Sequence, residues 1–93
     1  MPHYTDYEKI RYDDPSLQAE FQRLVEAVAA AESARAPIQQ RHRQAEAGQD
    51  VGKVSESEFR SIDSQYISAN NKIAAAKKKV DEFLGRFKNY HVT

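Results

Sequence analysis

The chain of 93 residues has no cysteine and no tryptophan, and only three glycines and three prolines. Without cysteine it forms no disulfide, offers no thiolate nucleophile and holds no Cys-bound zinc. Net charge is lacking too. Fourteen Lys and Arg balance fourteen Asp and Glu, so the whole chain generates no positive field to concentrate nucleic acid or anionic lipid. No apolar run approaches the roughly 20 residues of a membrane span. Residues 1–14 mix acids with aromatics and lack the apolar stretch of a secretory signal. These absences lead us to expect a cytoplasmic protein without a membrane span, export without a cleaved signal being the alternative. A chain this short buries too little surface to enclose a deep pocket, so neither an enzyme nor a cofactor is expected. His3, His42 and His91 lack the i, i+4 spacing that turns two ligands to one helical face, which argues against a metal site.

What the chain does have is periodicity. Apolar residues recur three and four apart at Phe59, Ile62, Tyr66, Ala69, Ile73, Ala76, Val80, Phe83, Phe87 and Tyr90. A stripe of that period stays on one side of a helix lying lengthwise along another. An earlier stripe reads Leu17, Phe21, Leu24, Val28, Ala31, then Ala34 or Arg35, Ile38, His42 and Ala45. It places His42, a polar residue, toward the partner helix, where it would help fix register.

Punctuation sets the ends. Asp13 or Asp14 suits an N-cap, and Pro15 suits the first helical position. Gly48 and Gly52 fall in a stretch without helical period, and Ser55 with Glu58 matches a capping box. Helices over 15–47 and 55–90, joined by a loop over 48–54, follow as the expected hairpin, with 1–14 as a tyrosine-rich arm. Pro37 inside helix one removes an amide and crowds the turn before it, so a kink is expected there, a full break being the alternative. Thr5 and Glu8 form a second capping-box match, so the arm is expected to be extended or a short helix.

Charge selects the direction of pairing. Residues 13–32 hold five acids and one base, and residues 72–88 hold six bases and two acids. Folding the chain back at 48–54 lays one block beside the other, and it brings Phe21 near Phe83 and Leu24 near Val80. The expected fold is thus all-α, an antiparallel helical hairpin. Because two helices alone leave each other half wet, a second copy is expected to complete a four-helix bundle, with the tyrosine arm folding over the chain ends as another cover. Off-seam Val25, Ile67 and Leu84 are where a cover would rest.

The function expected from this pattern is non-enzymatic protein binding, as an adaptor, assembly factor, inhibitor or secreted hairpin partner. Tyr4, Tyr7, Tyr12, Val51, Val54, Ile67 and Leu84 are the candidate contacts, because tyrosine and exposed aliphatic residues anchor partners. Self-packing of the tyrosines beside Phe83, Phe87 and Tyr90 is favoured over partner contact. The alternative function is nucleic-acid association through the basic residues Lys72, Lys77, Lys78, Lys79, Arg86 and Lys88, contacting phosphates. In length and helix-loop-helix plan the chain is similar to the small secreted hairpins of the WXG type. The likeness is one of plan alone, since Asp50-Val51-Gly52 stands where that family carries Trp-x-Gly.

Overall fold

Asp14 opens the first helix. Its Oδ1 accepts hydrogen bonds from the amides of Ser16 (2.8 Å) and Leu17 (3.3 Å), satisfying donors that have no partner inside a helix. A computed structural model describes residues 7–93; Tyr4 and the Thr5 capping match lie outside that range. The elements run β1 (Ile10–Tyr12), α1 (Pro15–Asp50), α2 (Glu56–Arg86) and β2 (Tyr90–Val92). The two helices pack antiparallel. Internal contacts divide the chain into two units, one ending at Ala30 and resuming at Ala74, the other Ala31–Ile73.

Several boundaries differ from the sequence reading, each for a local reason. The first helix includes Gly48, Gln49 and Asp50, which were expected in the loop. It ends in a Schellman arrangement: the Lys53 amide donates to the Gly48 carbonyl (2.7 Å), the Gly52 amide donates to Gln49 (3.1 Å), and Gly52 takes φ 76°. Gly48 belongs there because a Cβ at that position would overlap the Val54 side chain. Pro37 does not break the helix, which is continuous through it. Both Pro37 and Ser33 are exposed, so the Ser33 carbonyl that loses its amide partner can be hydrated. Ser55 caps α2 as expected, accepting from the Glu58 amide at 3.1 Å.

The second helix stops at Arg86 rather than near Tyr90, and Tyr90 is a strand residue. β2 pairs antiparallel with β1, Ile10 opposite Val92, Arg11 opposite His91 and Tyr12 opposite Tyr90. The arm is therefore a strand where residues 10–12 are concerned. Helical growth past Arg86 is replaced by an aromatic alternative. The Tyr12 hydroxyl donates to the Phe87 carbonyl at 2.6 Å, and the Tyr12 ring meets those of Phe21, Phe83 and Tyr90 edge-on at 5.7, 5.5 and 5.7 Å.

The first unit owns a closed core of Tyr7, Ile10, Tyr12, Phe21, Val25, Val28, Val80 and Phe83, with Leu17, Leu24, Leu84, Phe87 and Tyr90 packed against it. Phe21 and Phe83 stand 6.1 Å apart between ring centres, the juxtaposition that antiparallel folding requires. Tyr7 and Tyr12 are buried in this core and so are corrected from candidate partner contacts to core residues. Tyr7, Ile10 and Tyr12 share the core with Val25, and Leu84 packs against it. In the second unit the described buried residues are few: His42, Ala45, Ala69 and Ile73.

Two outcomes follow. Gly52→Ala forces a side chain into the left-handed region and should cost about 1 kcal/mol in urea unfolding, with helical circular dichroism unchanged. For Tyr12, burial first, and then the neighbouring Tyr90, push the hydroxyl above its ordinary value of 10.0. The stability this contributes is complete below about pH 10 and is lost as pH rises through the raised folded value. Tyr12→Phe should cost about 1 kcal/mol at pH 8, from the orphaned Phe87 carbonyl. Its deficit against the parent should shrink above pH 10, read from paired denaturation curves.

Candidate functional site

Within Ala31–Ile73 the two sides of the hairpin differ in chemistry. At 100° per residue, Arg35 and His42 lie on one stripe of α1, while Asp63 and Asn70 lie on one stripe of α2. They form two polar rungs. Arg35 Nη1 donates to Asn70 Oδ1 at 3.0 Å, and His42 Nε2 meets Asp63 Oδ1 at 2.9 Å. The His42 ring stacks on Tyr66 at 4.5 Å and approaches Phe59 at 5.5 Å, while its Nδ1 lies 3.6 Å from Glu46. His42 is 9% exposed, the inward position its place in the stripe requires. Arg35, not Ala34, is the inward residue of its turn, and its Nε is buried with no hydrogen-bond partner.

Because each rung joins a specific pair, a slip of either helix by one turn would bury unpaired polar atoms. Leaving a buried donor or acceptor unsatisfied costs about 1–3 kcal/mol, more than the 0–1 kcal/mol of an exposed ion pair. Register in this unit is thus held by polar rungs rather than by large apolar side chains.

The opposite side is lined by small and aliphatic residues. Ala31, Ala34 and Ile38 of α1 face Ser64, Gln65, Ser68, Ala69 and Lys72 of α2 across a hollow of about 360 Å³. The same stripes continue toward the loop as a hollow of about 220 Å³ lined by Arg41, Gln44, Ala45, Val54, Glu58 and Ile62. Short side chains keep the walls low, leaving an open trough between the helices. Arg41 and Lys72, both exposed, form no ion pair among the described residues.

The remaining predicted contacts scatter. Val51 is 68% exposed at the turn, Val54 is half-buried over Gly48, and Ile67 is 51% exposed on the outer face of α2. Leu84 packs against the first unit's core. Of the seam residues, Phe59, Ile62 and Tyr66 remain half-buried, whereas Ile73, Val80 and Phe83 are buried. Successive residues on a helix are turned by about 100°, so Lys77, Lys78 and Lys79 point in three directions. Lys72, Lys79 and Arg86, seven apart, share one stripe; Arg86 also sits over the Phe87 ring at 5.9 Å, and Lys88 lies beyond the helix. The basic run is therefore not one patch.

Among the described residues no group of three or more His, Asp or Glu side chains is placed to hold a metal ion, and no helix is long and apolar enough to cross a membrane. His91 pairs instead with Asp13 at 2.8 Å on the surface. The trough was not singled out because its apolar lining residues Ala31, Ile38, Ala45, Ile62 and Ala69 belong to the same stripes as the seam between the helices. The recurrence of Ala31, Ala34 and Ile38 with Ser64 and Ser68 was the available signal. No family model, curated protein or solved structure matches the chain.

Asp63→Ala should cost about 1–2 kcal/mol in urea unfolding by stranding buried His42. His42→Leu, which removes the buried polar group itself, should cost less, and equal losses would refute the rung argument.

Proposed function

We propose that the chain is a non-enzymatic protein-protein interaction module whose binding surface is the open trough of residues 31–73. The observation that carries this reading is the asymmetry of that hairpin: polar rungs close one side, while small residues leave the other as a shallow apolar channel. An open channel of about 360 Å³ between two helices is shaped for a side-chain ridge rather than for an enclosed substrate. The occupant is an amphipathic helix of a partner protein, which converts the pair into a bundle of three or four helices.

Its chemistry follows from the rim. The rungs set Arg41 level with Ser64, so Lys72 lies eight residues further along α2, roughly 12 Å at 1.5 Å per residue. A fitting helix carries two acids about two turns apart, one for each free cation, and an apolar face between them. Nucleic-acid binding is the weaker reading, because only Lys72, Lys79 and Arg86 of the six bases share a stripe, while Lys77 and Lys78 diverge from it and Lys88 lies beyond the helix.

A photo-crosslinking side chain substituted at Ala34, in the trough, should capture a discrete partner in the native cell. The same group at Arg43, outside the trough, should not, and Ile38→Glu should abolish the Ala34 product while leaving the melting curve within a few degrees. Equal labelling from both positions, or none from Ala34, would overturn the reading.

A further inference from the structure

The chain treats the two edges of its β1–β2 ribbon differently. The Thr93 amide donates to the Lys9 carbonyl at 2.8 Å, so by the alternation of antiparallel ladders Arg11 and His91 are the next hydrogen-bonded pair, while Ile10, Tyr12, Tyr90 and Val92 turn their amides and carbonyls outward. On β1 side chains cover two of the four groups on this outer edge. The Tyr12 amide donates to Gln18 Oε1 at 2.8 Å, and Arg11 Nη1 donates to the Ile10 carbonyl at 3.0 Å. On β2 nothing does so. The outward groups of Tyr90 and Val92 meet no partner among the described residues, and Val92 is 67% exposed. An open strand edge is a template for another strand.

We infer that β2 pairs with β2 of a second copy of this chain, antiparallel about a two-fold axis at His91, giving a four-stranded sheet in the order β1-β2-β2-β1. Self-complementarity is what selects the occupant. In that register Tyr90 of each copy lies opposite Val92 of the other, and the four outward backbone groups on each strand meet as four hydrogen bonds. The face of the ribbon that carries Tyr12 and Ile10 carries Tyr90 and Val92 as well. The exposed Val92 of each copy is therefore covered by the other copy's Tyr90, an aromatic and β-branched cross-strand pair of the favourable kind. On the opposite face the two His91 rings come side by side, each already drawn to its own Asp13 at 2.8 Å. This inference stands apart from the trough on 31–73 and does not depend on its occupant.

The absence of cysteine makes the test clean. The full chain is followed by sedimentation across a concentration series, alone and as three variants. His91 pairs with itself at a non-hydrogen-bonded position, where Cα atoms approach to about 4.5 Å, inside the disulfide range; His91→Cys should oxidise to a covalent dimer. Val92→Pro deletes an outward amide that the β1 ladder never uses, and His91→Lys sets two fixed cations against each other at the axis. Both should weaken dimerisation at least tenfold, the equivalent of about 1.4 kcal/mol, with unchanged unfolding curves at dilutions where the parent is monomeric. A wild-type chain that stays monomeric throughout, with no disulfide from His91→Cys, overturns the inference. So does a dimer that Val92→Pro leaves equally tight and His91→Cys fails to trap, since the copies would then meet elsewhere.

Discussion

Tyr12 is the residue through which the first unit holds together. It lies on β1, touches Phe21 of α1 and Phe83 of α2, stands opposite Tyr90 of β2, and bonds through its hydroxyl to the carbonyl of Phe87. One side chain thereby meets every element. The ring supplies apolar area and edge-on aromatic contacts, and the hydroxyl satisfies a carbonyl that the helix has ceased to use. Without this the helix would gain by continuing, because each further turn adds backbone hydrogen bonds at little entropic cost.

The two units solve the same problem by different means. Two packed helices bury only one stripe each, and a third layer is normally needed to offset chain entropy. In the first unit the strands and Tyr7 are that layer, and large aromatic and aliphatic side chains are fully enclosed. In the second, no such layer is present among the described residues; Ala45 and Ala69 are buried between the helices, and His42–Asp63 and Arg35–Asn70 fix which residues face one another. Polar rungs contribute specificity more than stability. A pair of helices held this way has a defined shape yet keeps an unused apolar side.

Much of this was legible in the sequence. The 3.5-residue stripes, Asp14 with Pro15, and Ser55 with Glu58 are strong local signals that agree with the global fold, and charge distribution gave the antiparallel direction. The strands were not legible, because three-residue elements are too short for a period-two pattern to outweigh helical spacing at Phe83, Phe87 and Tyr90. Their formation depends on a partner eighty residues away, information that no window contains. The helix end at Asp50 was misplaced for a related reason: two glycines four apart read as a loop, whereas only Gly52 takes the left-handed conformation and Gly48 remains helical under Val54. The trough escaped notice because its apolar residues, Ala31, Ile38, Ala45, Ile62 and Ala69, lie in the same stripes as the seam, and a stripe does not tell which of its residues the partner helix leaves open.

The capped edge of β1 bears on how the open edge of β2 is understood. A three-residue ribbon has little ladder to lose, so covering an edge with Gln18 and Arg11 adds modestly to stability but removes a template for misassembly. Had both edges been equally bare, the exposed backbone of β2 would carry no meaning beyond the brevity of the strands. With two of the four outward groups of one edge bonded by side chains from its own unit and none on the other, the edges differ in treatment, and the exposed Val92 flanks an aromatic of matching register. Charge is the usual means of guarding such an edge. Here β2 carries no Lys, Arg, Asp or Glu, and Asp13 holds His91, so the edge lacks the fixed like charges that would keep two copies apart.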